Sequence, residues 1–194
     1  MFRPGFTSRT VRGCVPWMIL GVFTAGLAGG AGGCKGPIDP QLEQRFIADL
    51  PTATVVVFPA FVRGETTSYD DQAAKAFAGA LREKGISAAA VADHVPIAGG
   101  WGHNQARMFR NSFESLAGYV AAHPVEADYA VLPEYLMGHN QAVGIHLYVV
   151  DKHGQIMAGF LLNSHQDVFS KANAKTVEDC TKLAETVFED DFLN

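Results

Sequence analysis

Cysteine is scarce: Cys14, Cys34 and Cys180 are the only three in the chain, and no two form a C-x-x-C pair. That excludes a disulfide framework and a Cys-rich zinc site. No H-E-x-x-H and no G-x-S-x-G occur, so the usual zinc-hydrolase and serine-hydrolase signatures are missing too. The one Gly-rich stretch, "GLAGGAGG", lies within the first 33 residues and opens no phosphate-cradling helix. A long apolar run is also missing: Val15 to Ala28 falls short of the roughly 20 residues a membrane-spanning helix needs. Positive charge is thin. Arg3, Arg9 and Arg12 are the only charges before Cys34, which leaves 12 Lys+Arg against 20 Asp+Glu from there on, a formal net of −8. Such a domain repels phosphate backbones, so nucleic acid is not an expected partner. No Lys/Arg cluster offers attachment to anionic lipid either.

What the chain does have begins at its front. A basic start, a short apolar middle and a run of small residues read as a secretory signal segment over residues 1–33. Ala31, Gly32 and Gly33 directly precede Cys34. This ending resembles the lipobox of bacterial lipoproteins, with Ala31 where the box usually has Leu. The resemblance implies that Cys34 becomes the lipidated first residue of the mature chain; the alternative is an ordinary signal peptide with Cys34 incidental. Two or more acyl chains would hold the protein on a membrane without a spanning helix. By the same resemblance, Lys35 after the Cys implies the outer membrane, facing the periplasm, if the source is Gram-negative.

Residues 34–51 read as a tether and a short helix, and residues 52–194 as one soluble α/β domain. Asp39 followed by Pro40 is a helix start, with an N-cap acceptor and a proline at the first helical position. "TATVVVFPAFV" (52–62) reads as a buried strand that Pro59 interrupts. Ser68 with Asp71 predicts the cap of a helix running to Gly85, and "ISAAAVADHVPI" a second strand. Phe109, Phe113, Leu116 and Val120 recur at helical spacing in a helix over 104–122. "ADYAVLPEYLM" is a third strand, and 142–163 a hairpin turning at Gly154. Thr176 with Asp179 caps a last helix. The predicted mature order is α-β-α-β-α-β-β-β-α, a single mixed β-sheet packed against helices in an α/β (α+β) fold.

The line "ADYAVLPEYLMG…VGIHLYVVDKHGQIMAG" has Ala127, Asp128 and Tyr129 opening a strand, Asp151 closing a second, and Gly154 in the turn to a third. It resembles bacterial envelope lipoproteins of the curli-secretion CsgG kind and the amino-terminal domain of TolB, over roughly residues 52–190. The resemblance implies a non-enzymatic scaffold or activator role in the cell envelope. The long amphipathic strand pair of the pore-forming members is missing, so no pore is carried over.

Seven His invite a metal reading, but none is paired at a metal-binding spacing. Cys180 lies on the apolar stripe of the last helix, where a Cys is a small buried hydrophobe. The five residues "GHNQA" occur at 102–106 and again at 138–142, with unrelated flanks, so no supersecondary unit is repeated. Asn104 in the first copy is a candidate N-cap. A shared site would need His103 and His139 to meet.

The reading is a membrane-anchored envelope lipoprotein acting as a non-catalytic scaffold or accessory binding domain. No residue is singled out as catalytic and no cofactor is implied. Expected partners are the membrane, through lipid on Cys34, and an envelope protein or a second copy. Apolar residues on both faces of the hairpin need two covers, so Tyr148, Met157 and Leu161 are the expected interaction surface, with Trp101 in its Gly-flanked loop as a second candidate. The alternative is a metal- or small-ligand-binding domain, or an enzyme, centred on His103 and His139.

Overall fold

The computed structural model describes residues 38–98 and 104–194; Cys34, Trp101 and His103 lie outside them. Helix α1 (Pro40–Asp49) begins as its sequence dictates. The Asp39 carboxylate accepts from the Gln41 N–H at 2.9 Å, and Pro40 occupies the first turn, where its missing N–H costs nothing.

The next apolar run makes two strands, β1 (Thr54–Val57) and β2 (Ala60–Arg63). Both pair in parallel with one edge of β5 (Tyr129–Met137). Val57 stands beside Val131 and Phe61 beside Glu134, so the β1–β2 side carries one extra residue. That bulge sits at Phe58–Pro59, across from Pro133 of β5. Neither proline has an N–H to give to a ladder, so the interruption falls where the sequence has least to lose.

After β2 come an edge strand, β3 (Thr67–Asp70), and helix α2 (Asp71–Glu83). Nothing in the sequence pattern marks β3. Ser68 is the second residue of that strand, and Asp70 caps the helix instead, accepting from the Ala73 N–H at 2.9 Å. The remaining elements are β4 (Ser87–Ala90), α3 (Gln105–Ala122), β6 (Ala142–Asp151), β7 (Ile156–Asn163), the short α4 (Asp167–Ala172) and α5 (Val177–Phe192). Besides β3, the expected order lacked the division of β1 from β2 and the short α4. The fold is otherwise the one expected: five helices around one mixed sheet of seven strands among the described residues. β5 is its spine, with β6 and then β7 antiparallel along one edge and β1 and β2 parallel along the other. β4 lies outside β1 and β3 outside β2.

Both faces are covered, and unequally. Phe46 of α1, Phe77 and Leu81 of α2, and Leu183, Val187 and Phe188 of α5 pack with Val131, Ile145, Leu147, Met157 and Phe160 in one cluster. Helix α3 covers the opposite face, where Phe109, Phe113, Leu116 and Val120 meet Leu132, Tyr148, Val150 and Leu161. Each of these α3 side chains contributes about 1.5–3 kcal/mol by leaving water. Glycine lets α3 come close. Gly154 has φ +80°, and a Cβ there would lie 2.3 Å from the Ala117 carbonyl oxygen. A Cβ on Gly159 would meet the Leu147 oxygen at 2.5 Å and the Phe113 ring at 3.2 Å.

This arrangement corrects the expected interaction surface. Tyr148, Met157 and Leu161 are buried, with Leu161 the most accessible at 6%. The three longer late helices do not share a face: α3 crosses to the other side of the sheet from α2 and α5. The hairpin therefore has both its covers within the monomer.

The Ala127-Asp128-Tyr129 line proves to be structural punctuation. Asp128 accepts from the backbone N–H and hydroxyl of Thr54 at 3.0 and 2.9 Å, tying β5 to the start of β1. Those bonds hold its carboxyl below the usual range. The Tyr129 hydroxyl donates to Asp49 at 2.6 Å, and Asp151 accepts from the His153 and Gln155 N–H groups across the turn. Cys180 is fully buried, and burial pushes its thiol up to about 12. It is an inert core group.

Candidate functional site

Strand alternation places one set of charged side chains on the α3 face. Phe61 and Glu134 are ladder partners, as are Glu134 and His146, so all three point the same way. Arg63 and Tyr148 follow two residues after Phe61 and His146, on that same face. Ser112 descends on them from α3. Arg63 is 1% exposed, and Ser112, Glu134, His146 and Tyr148 are 0% exposed.

The Glu134 carboxylate is the hub. Its Oε1 accepts from Arg63 Nε and from the Ser112 hydroxyl at 3.2 Å. Its Oε2 accepts from the Tyr148 hydroxyl and from His146 Nδ1 at 2.9 Å. Arg63 Nη2 also donates to Ser112 Oγ at 3.1 Å, and its guanidinium lies 4.8 Å over the Phe61 ring. The Phe109 ring stands edge-on to the imidazole, and Phe113 packs on Tyr148. Burial alone would raise the Glu134 carboxyl, but the hydrogen bond and charge of His146, with Arg63 and Tyr148, hold it below the usual range. Burial and the Glu134 charge push the Tyr148 phenol well up, so it stays a donor.

The hub also orients the imidazole: Oε2 is an acceptor, so Nδ1 carries a hydrogen toward it. Among the described residues Nε2 has no hydrogen-bond partner. A carboxylate-oriented imidazole with an open Nε2 is the arrangement found behind metal ligands and general bases. Here the imidazole is fully buried beneath α3, with the Phe109 ring against it. Among the described residues, no group of three or more His, Cys, Asp or Glu could hold a metal ion.

The residues singled out from sequence fare differently. Cys34, Trp101 and His103 are outside the described residues. His139 is 84% exposed in the β5–β6 loop, and Glu65, 3.6 Å from its ring, is similarly exposed. Asn104 does cap α3, accepting from the Arg107 N–H at 3.0 Å. Gln105 then donates to the Val143 carbonyl at 3.3 Å, so the end of the first GHNQA meets the chain just past the second. Arg63, Ser112 and Glu134 were not anticipated. Their signal was there: Glu134 interrupts the apolar run of a strand and Arg63 closes another. A charge inside such a run has to find a partner.

No family model matches the chain, and no curated protein does. Three solved structures are similar in arrangement. The PelC dodecamer from Paraburkholderia phytofirmans in space group P6 is 15% identical, with TM-score 0.42, over 72% of this chain and 86% of that one. A point-substituted form of the same dodecamer, in space group C2, is 16% identical, with TM-score 0.39, over 70% and 84%. The LpoB C-terminal domain from Salmonella enterica is 13% identical, with TM-score 0.33, over 62% and 93%. Likeness at this level concerns arrangement alone and carries no function over, and it does not show the curli-secretion type.

Proposed function

We propose that this chain is a lipid-anchored accessory domain of a bacterial cell envelope that acts by binding rather than by turning over a substrate. The observation that carries the reading is the sequence before Cys34: three arginines, a short apolar stretch and three small residues directly ahead of the cysteine. The structure adds a reason to favour binding over catalysis. The described acid–base constellation, Glu134–His146–Tyr148, is sealed under α3 and engaged in holding the fold together.

The partner surface is not a large apolar patch among the described residues. Ile47, at 36%, is their one exposed large hydrophobic side chain. Recognition there would be polar, with Trp101 keeping its place as the aromatic candidate beside the first GHNQA. Among the described residues no helix is long and apolar enough to cross a membrane; in this reading Cys34 carries the attachment. Fractionation of cells making the full chain tests this. The protein should sediment with membranes and leave them with detergent but not with salt, because no basic patch holds it by charge. Release by salt, or recovery free of membranes, would end the reading.

A further inference from the structure

Helix α1 takes the chain from one face of the sheet to the other. Ile38, just ahead of it, packs with the cluster beneath α3, whereas Leu42, Phe46 and Leu50 pack in the cluster on the opposite face. The helix lies beside β7, the outermost strand on that side, so the crossing goes round the β7 edge. With those three side chains turned inward, the outward side of α1 shows Gln41, Gln44 and Ala48, flanked by Arg45 and Ile47, all exposed.

Three observations single out this side. Ile38 comes four residues after Cys34, so Cys34 lies within about 14 Å of it whatever path the chain takes. Ile47 is the one large hydrophobic side chain exposed among the described residues. From Cys34 on, the chain has 12 Lys+Arg against 20 Asp+Glu, yet the outward side of α1 carries Arg45 and no carboxylate. The neighbouring acids are engaged elsewhere: Asp39 caps the helix, and Asp49 accepts from the Tyr129 hydroxyl.

We infer that the outward side of α1 is the membrane-facing surface of the domain and rests on the lipid headgroups, with the β4 edge turned away. The inference rests on the reading of Cys34 as the lipidated residue. Acyl chains on Cys34 hold that residue at headgroup level, and the short tether then keeps α1 within reach of the surface. β4 stands four strand spacings from β7, about 19 Å across the sheet. A carboxylate-free side meets anionic headgroups without repulsion, and Ile47 loses water by entering the interface. One arginine and one isoleucine do not hold a protein on a bilayer, so the contact orients a domain that the acyl chains already hold.

Site-directed labelling tests it. Cys180 is fully buried and Cys34 is acylated in this reading, so a cysteine added at the surface takes a thiol-reactive fluorophore alone. Full chains carrying Ala48→Cys on α1 or Ala89→Cys on β4, both exposed positions, are purified from membranes and labelled. They are reconstituted in phosphatidylcholine–phosphatidylglycerol vesicles that bear a nitroxide on the headgroup. The label at position 48 should lose most of its fluorescence and the label at position 89 almost none. Equal loss at both, or greater loss at position 89, overturns the inference. Because the tether alone keeps α1 near lipid, adding Ile47→Asp decides whether this side makes the contact. It should restore the signal at position 48 while the protein still floats with the vesicles, and unchanged quenching overturns the contact. The mass of the purified chain separates the two readings. A chain without acyl groups on Cys34 ends the anchor and this inference together, whereas an acylated chain that fails the quenching test ends this inference alone.

Discussion

Glu134 on β5 and His146 on β6 stand opposite each other in the antiparallel ladder, and their side chains meet on the α3 face with Nδ1 2.9 Å from Oε2. The same carboxylate binds Arg63, which comes from a strand 71 residues earlier. One side chain thus joins β2, β5, β6 and, through Ser112, α3.

Removing that hub should be costly. Glu134→Gln leaves the Arg63 guanidinium buried without its counter-charge, a loss of about 3–5 kcal/mol. Urea unfolding at pH 7 measures it. The pH dependence has a definite sign. Because the Glu134 carboxyl is held below the ordinary value of about 4.5, its contribution is complete above that pH. It is lost as pH falls through the lower folded value. Wild-type stability should show this acid limb, and Glu134→Gln should show a shallower one.

The hairpin faces are core. Leu161→Asp puts an unpaired charge against Phe109 and Phe113 and should cost more than about 4 kcal/mol, enough to abolish a cooperative thermal transition. Met157→Asp should do the same from the other face. Ile47→Asp, on the exposed side of α1, should stay within about 0.5 kcal/mol. A well-folded Leu161→Asp protein would make the hairpin a free surface again.

The start of α2 separates two neighbouring candidates. Asp70→Ala removes the cap and should cost about 1 kcal/mol. Ser68→Ala, in the exposed edge strand β3, should change stability by less than about 0.5 kcal/mol. Thermal unfolding of the two variants side by side measures the difference, and equal effects would mean that the cap is shared.

Gly154 is fixed by two constraints at once, its positive φ and the Ala117 carbonyl 2.3 Å from where a Cβ would sit. Gly154→Ala should therefore destabilise by about 1–3 kcal/mol or more. The unfolding rate should rise if the hairpin turn docks on α3 late in folding, and stopped-flow unfolding reads this directly.

These outcomes show which features a sequence displays. Asp39–Pro40, Thr176–Asp179 and Gly154 act within a few residues, and each proved to be what its local chemistry implies: the first two cap helices and the third turns the hairpin. The single mixed sheet followed from the order of such elements. The burial of Tyr148 and Leu161 did not follow, because it depends on which side of the sheet α3 takes, and helical periodicity is blind to that choice. β3 was hidden by Ser68, whose cap-like spacing to Asp71 competes with a four-residue strand that exists only because β2 lies beside it. The Arg63–Glu134–His146 cluster was visible as isolated charges in apolar strands, but its members are brought together by ladder register, which no short motif records.

The central claim is the anchor, and metabolic labelling with a fatty-acid analogue tests it most directly. Cells making the full chain and its Cys34→Ser variant are labelled in parallel, and the protein is isolated under denaturing conditions. The account predicts label on the wild type and none on Cys34→Ser, with the variant lost from the membrane fraction. Label that persists on Cys34→Ser, or a wild-type chain that takes up none, would contradict it.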